Sequence, residues 1–210
     1  MSVMEGNAPK IIENAATARI YGVDADFDAR VTDDFTLSGG VSWDSAHYVN
    51  YANASGLVPF ASLNPVTQAP VVAACIGLNR GPGGNCPLTI DASHKWLPRA
   101  PNITLTLTGD YKKEFSAGTF DANATLYLSG RIYFDSIERV SQAPYGTLAA
   151  QASWKPAGTH LTFVAWGKNL TNTKYFSSVY IDSSSDGANY APPPTFGVAV
   201  KYTFDGAPKL

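Results

Sequence analysis

No run of about 18 apolar residues occurs in this chain, so a membrane-spanning helix is excluded. Charge is scarce and balanced: 15 Lys and Arg stand against 17 Asp and Glu, a formal net charge of −2. That leaves no basic footprint, and nucleic acid is not expected as a partner. The opening Met1-Ser2-Val3-Met4-Glu5-Gly6-Asn7 lacks the basic start and apolar core of a secretory leader. Export would require one, so a fragment of a longer protein is expected. Catalytic signatures are missing as well. There is no Gly-x-Ser-x-Gly elbow and no HExxH, and Gly81-Pro82-Gly83-Gly84 lacks the lysine and helix of a phosphate-binding loop. His47, His94 and His160 are too far apart along the chain's extended segments to share one site. No enzyme activity, catalytic residue or cofactor is expected.

What the chain does have is a two-residue period that recurs from end to end. Residues 195–204 place Phe196, Val198, Val200, Tyr202 and Phe204 on one face, and Thr195, Gly197, Ala199, Lys201 and Thr203 on the other. Residues 21–31, 35–44, 103–112 and 145–154 repeat the same choice of faces. The longest case runs over residues 119–134, with Phe120, Ala122, Ala124, Leu126, Leu128, Gly130, Ile132 and Phe134 opposite Thr119, Asp121, Asn123, Thr125, Tyr127, Ser129, Arg131 and Tyr133. A strand drawn from Thr159 to about Tyr175 is less tidy, because Val164 and Trp166 share the face of Thr162 and Lys168. Clean alternation over many strands is the signature of a strand held between lipid and a wet lumen. A mean hydropathy of −0.08 does not count against it, because alternation hides the lipid signal from an average.

Connections alternate in length. Those near residues 32–34, 113–118 and 156–158 are tight turns, whereas those near 50–98, 135–144 and 177–194 are long and rich in proline, glycine and serine. Outer-membrane barrels keep short turns in the periplasm and long loops outside, so residues 50–98 are read as a long external loop. Both cysteines, Cys75 and Cys86, fall in that loop, and an even pair in a flexible external segment favours a local disulfide. Two ligands are too few for a structural zinc site. Asp24, Asp26 and Asp28 share a strand face, but Ala29 and Phe35 replace the glycine and glutamate of a calcium loop. They are read as lumen acids paired with Arg30, Lys112 or Arg131, and no metal site is expected.

Four runs carry a family resemblance: Ile20-Tyr21-Gly22-Val23-Asp24, Leu97-Pro98-Arg99-Ala100-Pro101, Trp166-Gly167-Lys168-Asn169-Leu170-Thr171-Asn172 with Tyr175-Phe176, and the closing Pro192-Pro193-Pro194-Thr195-Phe196-Gly197 strand. In order and spacing, residues 16–204 resemble the C-terminal barrel half of TonB-dependent outer-membrane receptors. The resemblance implies an all-β fold, an antiparallel meander supplying about seven or eight C-terminal strands of a transmembrane barrel of about 22 strands. The whole chain, 1–210, would be that C-terminal part. It also implies energised uptake of a scarce ligand such as an iron–siderophore complex, a cobalamin or an oligosaccharide. The expected partners are outer-membrane lipid, the missing plug and N-terminal strands of the parent receptor, the TonB complex acting through that parent, and the small-molecule ligand. Pro194 stands where the family commonly has an arginine, and residues 205–210 continue past the usual terminal aromatic.

Within that frame Trp43, Tyr111, Phe134, Trp154, Tyr202 and Phe204 fall near strand ends on the apolar face and are read as membrane-interface aromatics. Tyr127, Tyr133 and Arg131 point to the lumen and are the candidate ligand contacts. The rival expectation is a soluble all-β carbohydrate-binding module, a sandwich whose Trp and Tyr rings would stack on sugars.

Overall fold

The computed structural model describes residues 17–77 and 84–204; the readings made on residues 1–7, 81–83 and 205–210 lie outside them. The strands in chain order are β1 (Thr17–Arg30), β2 (Phe35–Asn50), β3 (Ala54–Pro59), β4 (Asn85–Ile90), β5 (Ile103–Phe115), β6 (Gly118–Ser129), β7 (Ile132–Tyr133), β8 (Ser141–Gln142), β9 (Tyr145–Pro156), β10 (Leu161–Lys168), β11 (Phe176–Ile181), β12 (Asp186–Tyr190) and β13 (Thr195–Tyr202). Between β3 and β4 the described residues form a 3-10 turn (Phe60–Ser62) and one short α-helix, α1 (Ala69–Gly77). Seven of the strands form a single antiparallel sheet in the order β1-β2-β5-β6-β9-β10-β13. Each pairs with its nearest long neighbour in sequence, which makes the sheet a meander. The other six strands form three separate hairpins, β3-β4, β7-β8 and β11-β12, one in each long connection.

Register turns the sequence alternation into two continuous surfaces. Ala29 faces Leu37, and the row runs on through Gly109, Ala124, Ala150 and Gly167 to Phe196, crossing all seven strands without a polar side chain. The adjacent row on the opposite face runs Arg30, Thr36, Asp110, Asn123, Gln151, Trp166, Gly197. Phe163 and Ala165 join the apolar face through Trp154 and Ala152, which puts Val164 and Trp166 on the polar one. Trp166 is there for a packing reason. It lies over its cross-strand partner Gly197, whose missing Cβ would meet the indole at 2.9 Å, a glycine covered by a facing ring. Phe27 covers Gly39 in the same way on the apolar face.

Among the described residues no second sheet covers the apolar rows. Phe196, Val198 and Val200 are 81%, 86% and 64% exposed, and Val23 and Ile103 are 65% and 45% exposed. The buried apolar residues of the described chain, Ala46, Tyr48, Ala54, Cys75, Cys86 and Ala92, all sit at the end of β2 or in the connection that follows it. A sandwich would bury these rows between two sheets, so the expected soluble alternative is not what this sequence forms. β1 and β13 remain open edges.

The turn end of the sheet is tight. Gly118 opens β6 at φ +149°, and a Cβ there would meet the Lys155 carbonyl oxygen of β9, so only glycine fits. Lys113 of β5 pairs with Asp34 in the first turn, joining β5 to the β1–β2 connection. At the other end two strands stop earlier than the alternation predicts. β6 ends at Ser129, although Gly130 still donates its N–H to the Ile103 carbonyl opposite at 2.8 Å; a Cβ there would meet Asn102 and Ile103, and the chain then turns into the β7–β8 hairpin. β10 ends at Lys168 because Asn169 takes φ +50°. Its buried carboxamide donates to the Thr173 and Pro192 carbonyls, both at 3.0 Å, and accepts from the Thr173 N–H at 3.0 Å.

Leu126 lies mid-strand between Leu107 and Leu148 on the apolar face, while Thr125 bonds Thr108 across the polar face at 3.0 Å. If lipid covers the first face, Leu126→Arg in the full-length protein should weaken folding into bilayers by about 2–4 kcal/mol, and Thr125→Ser should change it little. Equal losses at the two positions, measured by denaturant titration in vesicles, would refute the assignment of faces.

Candidate functional site

The long connections all leave the same end of the sheet, and they are folded rather than slack. In the first, residues 51–102, the Asn64 carboxamide accepts the N–H groups of Val66 and Thr67 at 2.9 and 3.1 Å and so starts the turn that leads into α1. Pro70 stands in the first turn of α1 and Gly77 is its last residue. A disulfide joins Cys75 of α1 to Cys86 of β4, with the Cα atoms 5.5 Å apart. The returning arm of the loop then caps β2: the Tyr48 N–H donates to the Lys95 carbonyl at 2.9 Å, and the Leu97 N–H to the Ala46 carbonyl at 2.9 Å. His47 packs against Trp96 with ring centres 3.8 Å apart and the planes tilted by 42°.

The three connections converge on a charged cluster. Arg139, in the β7–β8 loop, directs both guanidinium arms at Asp186 of β12, at 2.5 and 2.9 Å. Asn85 of β4 donates to the same carboxylate at 2.9 Å. Arg139 also sits beside Asp135, whose Oδ2 lies 3.8 Å from its Nε, and Lys95 pairs with Glu138 at 3.3 Å. Bidentate Arg–carboxylate pairs are the stronger kind of ion pair, and each hydrogen bond to a charged group contributes about 1.5–3 kcal/mol when shielded.

An aromatic wall lies on the polar face just below these loops. Tyr127 of β6 meets Tyr145 of β9 edge to face at 6.1 Å, and Tyr145 stacks flat on Tyr175 at 4.5 Å and 10°. Of the three candidate ligand contacts, only Tyr127 stays on the seven-stranded sheet. Arg131 and Tyr133 follow the end of β6 and lie in the second external connection, where exposed Arg131 donates to Ser141 at 3.1 Å and the Tyr133 carbonyl accepts the Arg99 N–H at 2.7 Å. Tyr145 and Tyr175 were missed by sequence reasoning. Strand alternation would have found Tyr145, which opens β9 on the polar face opposite Ser129, but Tyr175 lies in a loop and had no periodic signal.

The aromatics of the apolar face gather at the two ends of the sheet. Trp43 meets Tyr21 at 6.0 Å near the loop end. At the turn end Tyr111 meets Phe120 at 6.2 Å, Phe115 meets Trp154 at 6.1 Å, and Tyr202 meets Phe204 at 4.8 Å. Phe134 does not join them, because β6 has already ended and Phe134 follows β7 in the external hairpin. The row of Asp24, Asp26 and Asp28 also differs from expectation. Arg30 turns to Asp33 at 3.2 Å, Arg131 to Ser141, and no ion pair among the described residues involves those three acids. Asp24 and Asp26 line a hollow of about 710 Å³ with Ser38, Ser42, Thr104, Thr106 and Thr108. A second hollow, of about 750 Å³, is on the apolar face over Leu107, Leu126 and Leu148, where acyl chains rather than a polar ligand would fill it.

Residues 3–170 match the sequence model of a family described as TonB dependent receptor-like, beta-barrel. The chain belongs to this family. Solved structures of TonB-dependent receptors agree with the fold. The ferric yersiniabactin uptake receptor FyuA from Yersinia pestis superposes with a TM-score of 0.63 at 14% identity, over 89% of this chain and 24% of that one. The siderophore receptor PiuA from Acinetobacter baumannii gives 0.56 at 17% identity, over 87% of this chain and 21% of that one. BauA, the ferric preacinetobactin receptor from the same organism, gives 0.54 at 14% identity, over 87% and 22%. The chain thus spans about a quarter or less of these receptors' length. As part of a TonB-dependent receptor barrel it is an outer-membrane protein, its apolar face turned to lipid and its polar face to the lumen. The soluble carbohydrate-binding alternative is excluded by the same match.

The external charge cluster carries a pH signature. Arg139, by its hydrogen bonds and then its charge, holds the Asp186 carboxyl below the usual carboxylate range, with Asn85 adding to the effect and burial and Asp182 opposing it. Burial pushes Asp135 up, against the N–H and charge of Arg139. Asp186, depressed, contributes stability that is present above the ordinary carboxylate pKa and lost as pH falls through its lowered value. Asp135, raised, costs stability at neutral pH, and its protonation on acidification relieves that cost. The loops should therefore hold their protection from neutrality to about pH 4 and lose it below. Hydrogen exchange of loop amides on the full-length receptor, corrected for the intrinsic pH dependence of exchange, checks this; loosening that begins near neutrality would contradict it.

Proposed function

We propose that this chain is the C-terminal part of a receptor barrel that imports a ferric siderophore, with energy supplied through TonB to a plug carried elsewhere in the parent protein. The observation that carries the reading is the pair of unbroken faces on a sheet whose edges, β1 and β13, are both open. Unpaired backbone is costly in hydrocarbon, so further strands must complete the wall. The lumen-facing acids and hydroxyls then lie against the plug, and Trp43 at one end with Tyr111, Trp154, Tyr202 and Phe204 at the other mark the two membrane interfaces.

The ligand class follows from two supports. FyuA, PiuA and BauA are described as receptors of siderophores or their ferric complexes. The Tyr127–Tyr145–Tyr175 wall offers flat, hydroxyl-bearing rings suited to the planar aromatic chelating groups of such ligands, and a cobalamin or an oligosaccharide has less use for it. Exposed Arg131 and neighbouring Tyr133, in the second external loop, are positioned at the entry side, where a cation attracts an anionic chelate.

Uptake of radiolabelled iron by cells carrying the full-length receptor, supplied with a panel of ferric siderophores, tests this reading. Tyr145→Ala, which removes the ring common to both contacts, should raise the apparent KM about 5- to 10-fold with little change at saturation. Uptake should stop when the proton gradient is collapsed. Transport of cobalamin or an oligosaccharide instead of iron would overturn the ligand class, and import without a gradient would overturn the energised mechanism.

A further inference from the structure

Three external loops that leave three different strand pairs meet at one carboxylate. Asp186 belongs to the third loop, and it accepts Arg139 from the second at 2.5 and 2.9 Å and Asn85 from the first at 2.9 Å. Asn85 is 3% exposed and is gripped by the third loop at two further points: its N–H donates to the Ser183 carbonyl at 2.9 Å and its carboxamide to the Asp182 carbonyl at 2.7 Å. Because Asn85 precedes Cys86, the disulfide extends this grip to α1. The first and second loops are joined independently, through the Glu138 carboxylate, which accepts Lys95 at 3.3 Å and the Trp96 N–H at 2.8 Å. The second and third are joined again where the Phe176 N–H donates to the Gln142 side chain at 2.9 Å. Every pair of loops is therefore bridged, and among the described residues Asp186 is the one group bonded to side chains of both other loops.

The cluster also has a second place for its cation. Arg139 stands between two carboxylates, Asp186 across the loop boundary and Asp135 within its own loop. Its fork is spent on Asp186. Its Nε and the Asp135 Oδ2 face each other at 3.8 Å, buried, and neither has a hydrogen-bond partner. Asp135 Oδ1 is meanwhile fixed by the Arg139 N–H at 2.8 Å, so this second acceptor is held ready in place. A small swing of the guanidinium onto Asp135 would keep its charge paired while giving up the only ion pair that ties the second loop to the third among the described residues.

We propose that Asp186 is the hub of a latch that makes the three external loops one body, and that exchange of Arg139 from Asp186 to Asp135 is its release step. The mouth on this side then opens as a unit instead of loop by loop. The family assignment supplies only which end is external; ligand and energy source are not needed for the latch.

Hydrogen exchange read by mass spectrometry on the full-length receptor in lipid nanodiscs tests both parts without any import assay. In Asp186→Asn, amides of the third loop, of 130–144 and of 84–97 should lose protection together, by about tenfold, while those of β5 and β6 stay as in the parent. Asp135→Asn, which removes the alternative acceptor, should leave protection equal or higher and slow the opening. Arg139→Lys keeps the charge but not the fork and should give a smaller joint loss, so it carries the same prediction if Asp186→Asn does not assemble. Loss confined to the third loop in Asp186→Asn, or to the second in Arg139→Lys, would overturn the single body. Loosening by Asp135→Asn as large as that by Asp186→Asn would overturn the exchange.

Discussion

Backbone satisfaction inside hydrocarbon is the constraint from which the rest of this structure follows. An unpaired N–H or C=O in lipid costs several kcal/mol, so each spanning strand must find a neighbour on both sides. A meander does this with the least chain, and seven strands here pair only with sequence neighbours among the long strands. Once pairing is fixed, side chains need only be sorted by face. The apolar face can then be built from residues that would make a poor core. Ala122, Ala124, Ala150, Ala152 and Ala165 lie together around Gly109 and Gly167, a thin surface that would leave voids against a second sheet. Fluid acyl chains conform to it, and no cavity forms.

That sorting is why so much of the sheet was legible in the sequence. Period-two alternation reports a side chain's face directly, and in β6 it does so for the whole strand from Gly118 to Ser129. The signal fails where another interaction outranks the face rule. Trp166 breaks the pattern of β10 because Gly197 opposite it leaves a gap that a ring fills. The alternation also runs past Ser129 to Phe134 without a pause, yet β6 ends at Ser129: Gly130 still bonds Ile103 opposite, but the chain then turns into the β7–β8 hairpin, a pairing that no local period announces. Proline in the first turn and glycine at the end of α1 were local signals for that helix, overlooked among the prolines and glycines of a segment read as loop. The charged cluster had no such signal: Asn85, Arg139 and Asp186 are scattered through three loops, and only the folded hairpins bring them together.

The two parts of the molecule are held by different physics. In the sheet, hydrogen bonds are internal and the apolar surface is completed by lipid, so exposure of Val198 or Phe196 in the protein alone is no defect. In the loops, water is the solvent and burial must be internal. Ala46, Tyr48, Ala54, Cys75, Cys86 and Ala92 make a small dry centre there, closed by a disulfide. A centre this small cannot position three loops by hydrophobic burial alone. Directional bonds at Asp186 and Glu138 supply the rest of the order.

Those bonds reach the lumen wall through one ring. Tyr175 heads the hairpin β11-β12, and its carbonyl accepts the Ala191 N–H at 2.8 Å, just past the end of β12. Asp186 is the other end of that strand. The hairpin thus has the loop carboxylate at one end and Tyr175 at the other. Tyr145, on β9, is held by the sheet opposite Ser129. Tyr175 lies flat on Tyr145 at 4.5 Å, and the segment leading to it is itself tied to β9, where the Thr173 hydroxyl donates to the Gly146 carbonyl at 2.5 Å. Main-chain bonds and one aromatic contact thus connect the loop cluster to the wall beneath it, and both ends of that connection are fixed by directional bonds.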